Sequence, residues 1–281
     1  MNDLYKNANL VFYTNCQGGI GIKTLLSSKF IFKSINYIET FSTIWNNKEL
    51  PINILNNADI FIYQPINVKY GKYSTDITIS NNILTHLNKN CIQISFPYIY
   101  FACLFPLYSN NAAAEIDGGI SYDISKVVNR DVIINLKNII KETYKHTFEH
   151  INQEIIKLYD NQLIDFKFEE NYKNTIERIQ NSEKNCNIKI THLFTLENIK
   201  NIKLMHSNNH PTNYILKYLT NQILKILNLP SNNFDEINNE ILSVYPYSIY
   251  SYNYYKFNWL NPKDCNEDFY KELLLLVLNN C

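Results

Sequence analysis

Two stretches of this chain carry residue types that do covalent chemistry. The first is Asn15-Cys16-Gln17-Gly18-Gly19-Ile20-Gly21-Ile22-Lys23, which holds three of the chain's six glycines. It follows a short apolar run and leads into a helix-like pattern. A strand–turn–helix junction of this kind converges backbone N–H groups and sets one side chain at a helix N-terminus. Here that side chain is a thiol, and a thiolate in such a place is stabilised by the helix dipole and by N–H donors. The commonest fate of a free cysteine is burial as a small hydrophobe. The polar flanks Asn15 and Gln17 and the adjoining glycines favour an active-site thiol instead. The second stretch is Met205-His206-Ser207-Asn208-Asn209-His210-Pro211-Thr212-Asn213. Proline suits the first turn of a helix, which puts His210 at an N-cap and His206 in the loop before it. A histidine there can act as a general base toward a nucleophile at the same loop edge, or it can simply cap the helix. Gln64, at the end of another apolar run, offers a side-chain amide that could donate to an oxyanion or serve only as a polar strand end.

The same residues exclude several chemistries. Gly18-Gly19-x-Gly21 is neither the dinucleotide fingerprint G-x-G-x-x-G nor a P-loop ending in Lys-Ser/Thr. The His206/His210 pair lacks the glutamate of H-E-x-x-H, and the six scattered cysteines include no C-x-x-C pair, so no metal is expected. His146 and His150 lie four apart among charged residues and suit a solvated helix face. Formal net charge is zero and arginine occurs only at Arg130 and Arg178, which argues against a nucleic-acid partner. The opening residues lack a signal-peptide pattern, and no apolar run approaches the ~18–20 residues of a membrane span. With no disulfide framework, the expectation is a cytoplasmic protein with reduced thiols.

Stepping outward, the elements that would position these residues alternate between strand and helix. Residues 9–14, 34–39, 60–63 and 91–95 have the short apolar or alternating pattern of strands. Residues 20–32 suit an amphipathic helix with Ile20, Leu25, Leu26 and Phe30 inward, and residues 78–89 suit a further helix. This order predicts an α/β fold with a small parallel sheet flanked by helices, an SGNH- or flavodoxin-like core. Ligands of such sheets bind beyond the carboxyl ends of the strands. The loops starting at Asn15-Cys16, Gln64-Pro65 and Ser95-Phe96-Pro97 would then share one edge. Residues 98–120 look like an irregular wall or lid. Residues 121–183 turn helical and more charged, and the C-terminal part is also largely helical, including Pro211–Leu227 with Ile215, Leu216, Leu219, Ile223, Leu224 and Ile226 as its apolar face. Residues 188–194 and 202–205 suit strands or buried connectors. Tyr245–Trp259 is a tyrosine-rich cluster better suited to packing than to stacking on a ligand. No linker composition divides the chain, so a single domain over 1–281 is expected, with a helical section at about 121–183.

Taken together, Asn15-Cys16-Gln17, Tyr63-Gln64-Pro65, Ser95-Phe96-Pro97 and His206-x-x-x-His210-Pro211-Thr212-Asn213 resemble the WcbI-type polysaccharide-biosynthesis acetyltransferases over residues 9 to 227. The resemblance implies transfer of an acetyl group from acetyl-coenzyme A to a hydroxyl or amine of a sugar, nucleotide-sugar or glycan acceptor. It implies Cys16 as nucleophile or thioester-site residue, and His210 as base with His206 and Gln64 beside it. Asn15, Gln17, Gly18, Lys23 and Arg130 become coenzyme-binding candidates. A looser similarity to SGNH-type esterases, which carry a late His-Pro base, implies the alternative of an esterase or deacetylase using Cys16 and His210. The chain departs from that pattern, because Ser207 stands three before His210 where those enzymes have aspartate. His206, Asn208 or a backbone carbonyl could orient the base in its place.

Overall fold

The computed structural model describes residues 5–105, 167–242 and 249–265. Arg130, His146, His150 and most of the 98–120 and 121–183 sections lie outside them. Four parallel strands form one sheet in the order β2-β1-β3-β4: β1 (Asn9–Thr14), β2 (Ser34–Glu39), β3 (Ile60–Tyr63) and β4 (Ile92–Ser95). The pairing aligns Thr14 with Glu39, Tyr13 with Tyr63, and Tyr63 with Ser95, so the strands end together at one edge. From β1 the chain turns to one side for β2 and to the other for β3. The β1/β3 boundary is therefore a topological switch point, where such sheets open a crevice for a ligand.

Leu10, Val11, Phe12 and Tyr13 of β1 have no exposed surface, and neither do Ile60, Phe61 and Ile62 of β3. An unbroken apolar run suits a central parallel strand because both of its faces are covered. Val11, Tyr13 and Phe61 share one face with Ile38, Leu50, Leu55, Ala58, Tyr73 and Ile83. Each large apolar side chain buried in this way contributes roughly 1.5–3 kcal/mol. Beside β4, Asn187 holds Ser95 on both sides: its Oδ1 accepts from the Ser95 N–H and hydroxyl at 2.8 Å each, and its N–H donates to Ser95 Oγ at 3.0 Å. The Ser95-Phe96-Pro97 stretch is thus a structural junction.

After β1 the chain enters a π-helical turn, Gln17–Ile22, that runs into α1 (Lys23–Lys29). The expected inward face is shifted as a result. Leu25 and Leu26 are buried, but Ile20 is 48% exposed and Ile22 takes its place in the core, because the wider π turn rotates the residues ahead of α1. The short helices α2 (Thr40–Trp45) and α3 (Ile52–Asn56) lie between β2 and β3. The helix expected over 78–89 is absent: only Ile83–His86 forms a 3₁₀ turn. Asp76 Oδ1 accepts from Thr78, and Asn82 Oδ1 accepts from the Leu84 N–H. Such local side-chain bonds compete with helix formation.

Further along are α4 (Phe168–Glu183), α5 (Leu196–Asn201), α6 (Asn213–Ile226) and α7 (Ile249–Tyr255). Residues 188–194 and 202–205 are connectors, apart from a 3₁₀ turn at Thr191–Leu193 and an isolated antiparallel bridge between Met205 and Pro211. On α6 the expected apolar face is buried except for Ile226, which is 39% exposed at the helix end.

The chain falls into two compact units. The first, Met1–Tyr100, Ile176–Asn198 and Lys203–Val244, contains the sheet; the second is Phe101–Thr175, Ile199–Ile202 and Tyr245–Cys281. In the second unit aromatic rings within residues 251–259 pack on one another and on Phe168. Phe168 stacks on Tyr254 at 4.6 Å, and Tyr255 stacks on Phe257 at 5.7 Å. Ser251 donates to the Leu104 carbonyl and Trp259 to that of Ile199.

Candidate functional site

The carboxyl edge of the sheet is built around one buried side chain, Gln17, which has no exposed surface. Its Nε2 donates to the carbonyls of Ile99 and Asn209, each at 2.7 Å, and its Oε1 accepts from Gln64 Nε2 at 2.8 Å and the Ile99 N–H at 3.1 Å. Gln64 Oε1 in turn accepts from the Asn15 N–H at 2.9 Å. Asn15 Oδ1 accepts from the Gln17 N–H at 2.9 Å. Both amides are therefore engaged within the fold, as buried polar groups must be. The Gln17 N–H is committed as well and does not face an incoming oxyanion. Asn15 and Gln64 are almost fully buried. Between Asn15 and Gln17, Cys16 alone is half-buried, at the head of the π turn.

The glycines have a packing reason. None of Gly18, Gly19 and Gly21 has a positive φ. A Cβ on Gly19 would come within 2.0 Å of the Tyr37 ring, one on Gly18 within 2.4 Å of the Thr14 side chain, and one on Gly21 within 2.7 Å of Leu216. Close approach of the turn to β1, β2 and α6 sets these positions, and the approach brings Tyr37 beside Cys16. Burial pushes the Tyr37 phenol above its ordinary range, with Glu39 and Cys16 adding to the effect.

The histidine stretch reaches the same place. The Asn209 carbonyl that meets Gln17 precedes His210, which is half-buried. His206, fully buried, donates its N–H to the His210 carbonyl at 2.6 Å. With the Met205–Pro211 bridge this closes a tight hairpin, so Pro211 sits in the hairpin and Thr212, rather than His210, is the N-cap of α6. Asn208 Nδ2 donates to the Tyr100 hydroxyl at 3.3 Å, and Ser207 Oγ donates to Asn209 Oδ1 at 3.0 Å. Ser207, the residue at the position of the esterase aspartate, is therefore tied within its own loop.

Three features of the site had little signal in the sequence. Glu240 lies 2.9 Å from His206 Nε2 through Oε2, and the same oxygen accepts the Asn213 N–H at 2.8 Å. Burial pushes the Glu240 carboxyl up, but His206, the Asn213 N–H and nearby Lys203 outweigh it and hold the group below its ordinary range. Arg178 of α4 lies over the Tyr100 ring at 4.4 Å; only its rarity as one of two arginines marked it. A row of aromatic contacts runs from Trp45 to Phe41 (5.2 Å), Tyr98 (6.2 Å) and Tyr100 (6.2 Å), and Trp45 is 50% exposed at its outer end. Lys23 heads α1 and is half-buried. Among the described residues no group of three or more His, Cys, Asp or Glu side chains could hold a metal ion, and no helix is long and apolar enough to cross a membrane. No disulfide forms among the five described cysteines.

The family model of polysaccharide biosynthesis enzyme WcbI matches residues 9–232, which take in the whole sheet, the Cys16 turn and the histidine hairpin. The chain belongs to the WcbI family. No curated protein matches it. Among solved structures it is similar to WcbI itself, described as a novel polysaccharide biosynthesis enzyme in its native form without a disulfide bond between coenzyme A and a cysteine. That likeness covers 91% of this chain and 81% of the other at 16% identity, with a TM-score of 0.59. At that identity it shows the fold. Membership makes this chain a polysaccharide biosynthesis enzyme of the WcbI type and fits the parallel α/β architecture described above.

Proposed function

We propose that this chain transfers an acetyl group from coenzyme A to a hydroxyl or amine of a sugar during polysaccharide assembly. The observation that carries the reading is the hydrogen bond from Gln17, next to Cys16, to the carbonyl of Asn209, next to His210. It ties the thiol turn to the histidine hairpin, and each presents one half-buried reactive side chain, Cys16 or His210. The structure similar to this chain is described in terms of coenzyme A and a cysteine, which supports a thioester beside Cys16.

Two routes use these residues. In one, His210 takes the Cys16 proton, the sulfur attacks the thioester carbonyl, and the bond to coenzyme A breaks. The leaving thiolate takes the proton from His210, and the acyl-enzyme then passes its acetyl group to the sugar as His210 deprotonates the acceptor. In the other, His210 deprotonates the sugar hydroxyl or amine, which attacks the thioester directly while Cys16 lines the site. The Gly18 N–H, in the first turn of the helix, is our assignment for the oxyanion donor, and Gln64 acts by holding Asn15 and Gln17. In this reading Lys23 and Arg178 are assigned to the coenzyme A phosphates on the ground of their charge. The Trp45–Phe41 end of the aromatic row offers an apolar face to the acceptor sugar.

The test follows free thiol release from acetyl-coenzyme A with and without candidate sugars. Sugar-dependent release with acetylated sugar as product is expected. Ester cleavage without binding of acetyl-coenzyme A would replace this reading by the hydrolase one.

A further inference from the structure

His206 belongs to the hairpin that carries His210, yet it has no exposed surface. A substrate approaching the half-buried His210 does not reach it, so its contribution passes through the fold. Two contacts and one unpartnered nitrogen define what it does. Its backbone N–H holds the His210 carbonyl at 2.6 Å. Its Nε2 lies 2.9 Å from Glu240 Oε2, an electrostatic contact. Its Nδ1 is buried with no hydrogen-bond partner among the described residues.

These contacts fix where the imidazole proton sits. A bare Nε2 lone pair facing a carboxylate at that distance would be repelled, so Nε2 carries the proton. Placing the proton on Nδ1 instead would bury a donor that has no partner there. Glu240 meanwhile accepts the Asn213 N–H at 2.8 Å, at the start of α6. A carboxylate there is favoured by the helix dipole. One carboxylate oxygen thus links the N-terminus of α6, the His206 ring and, through the His206 backbone, the His210 loop.

We propose that Glu240 is a positioning residue for the histidine hairpin, acting through His206 to set His210 for proton transfer. It supplies, from a separate loop, the carboxylate that the esterase pattern would have put in place of Ser207. The inference rests on the acyl-transfer reading for its kinetic consequence but not for its structural one.

The test uses the full chain with Glu240→Gln, which keeps the size and an oxygen acceptor for the Asn213 N–H but removes the charge. Glu240→Asp is the conservative variant. Imidazole nitrogen spectra, with the His206 signals assigned by their loss in His206→Gln, should show a single Nε2-protonated form in the native chain and a mixture of tautomers in Glu240→Gln. The kcat for thiol release should fall about 10–100-fold, the usual range for partners of a functional histidine. KM for acetyl-coenzyme A should stay within about two-fold, and Glu240→Asp should recover most of the rate. If Glu240 only caps α6, Glu240→Gln will lower the melting temperature and leave the His206 nitrogen signals and kcat unchanged, and the proposal falls. A native chain without transferase activity would overturn the acyl-transfer reading, and the nitrogen spectra alone would then decide the role of Glu240.

Discussion

The thiol turn and the histidine hairpin meet at Gln17 but are held by different forces. Around Cys16 the supports are neutral: two interlocked glutamine amides, backbone groups and three glycines packed against Thr14, Tyr37 and Leu216. Around His206 they are charged, with Glu240 between an imidazole, a helix N-terminus and Lys203. Close packing of neutral groups is indifferent to pH and intolerant of volume. A carboxylate anchor tolerates small shifts in volume and depends on its own ionisation. The half of the site with the thiol should therefore fail by steric change, and the half with the histidines by loss of charge.

The largest expected effect separates chemistry from scaffold. His210→Ala should lower acyl transfer about 10²–10⁴-fold, the usual weight of a positioned acid–base group, with the melting temperature nearly unchanged. A rate within a few-fold of native would remove His210 from the mechanism. Next come the steric variants. Gly19→Ala places a methyl inside contact distance of the Tyr37 ring and should destabilise the fold by about 1–3 kcal/mol, as overpacking does. Urea titration at several pH values should give the same loss throughout.

Glu240→Gln supplies the contrast. The folded carboxyl is held below its ordinary range, so its contribution to stability is full above the unfolded pKa, near ~4.3, and fades as pH falls through the folded value. The gap in melting temperature between native and Glu240→Gln should therefore narrow on acidification, while that of Gly19→Ala stays constant. Equal pH responses of the two variants would erase the distinction between the two halves. The smallest effect is expected at the rim: Trp45→Ala should raise KM for the acceptor sugar about five-fold, the weight of one aromatic contact, with KM for acetyl-coenzyme A unchanged.

The same division explains what could be read from the sequence. The limits of β1, β2 and β3 follow from local apolar patterning, and the structure forms them where that patterning puts them. The thiol turn was legible because its polar and glycine residues are contiguous. The reason for its glycines was not, since Tyr37 and Leu216 come from other elements. Ile20 was misplaced because a π turn leaves no mark in a 3.6-residue pattern. The 78–89 helix failed because Asp76 and Asn82 bond their own backbone neighbours, a local competition that an apolar count does not see. Glu240 was invisible for a stronger reason: it sits in an asparagine-rich loop 27 positions from Asn213, and its partner in the hairpin is chosen only by tertiary folding.

The most direct measurement is a structure of the full chain with coenzyme A bound. The account predicts the coenzyme sulfur in the β1/β3 crevice, about 3–4 Å from Cys16 Sγ or from an acceptor position beside it, with the His210 ring facing the same point. A coenzyme whose thiol end lies away from both Cys16 and His210 would contradict it.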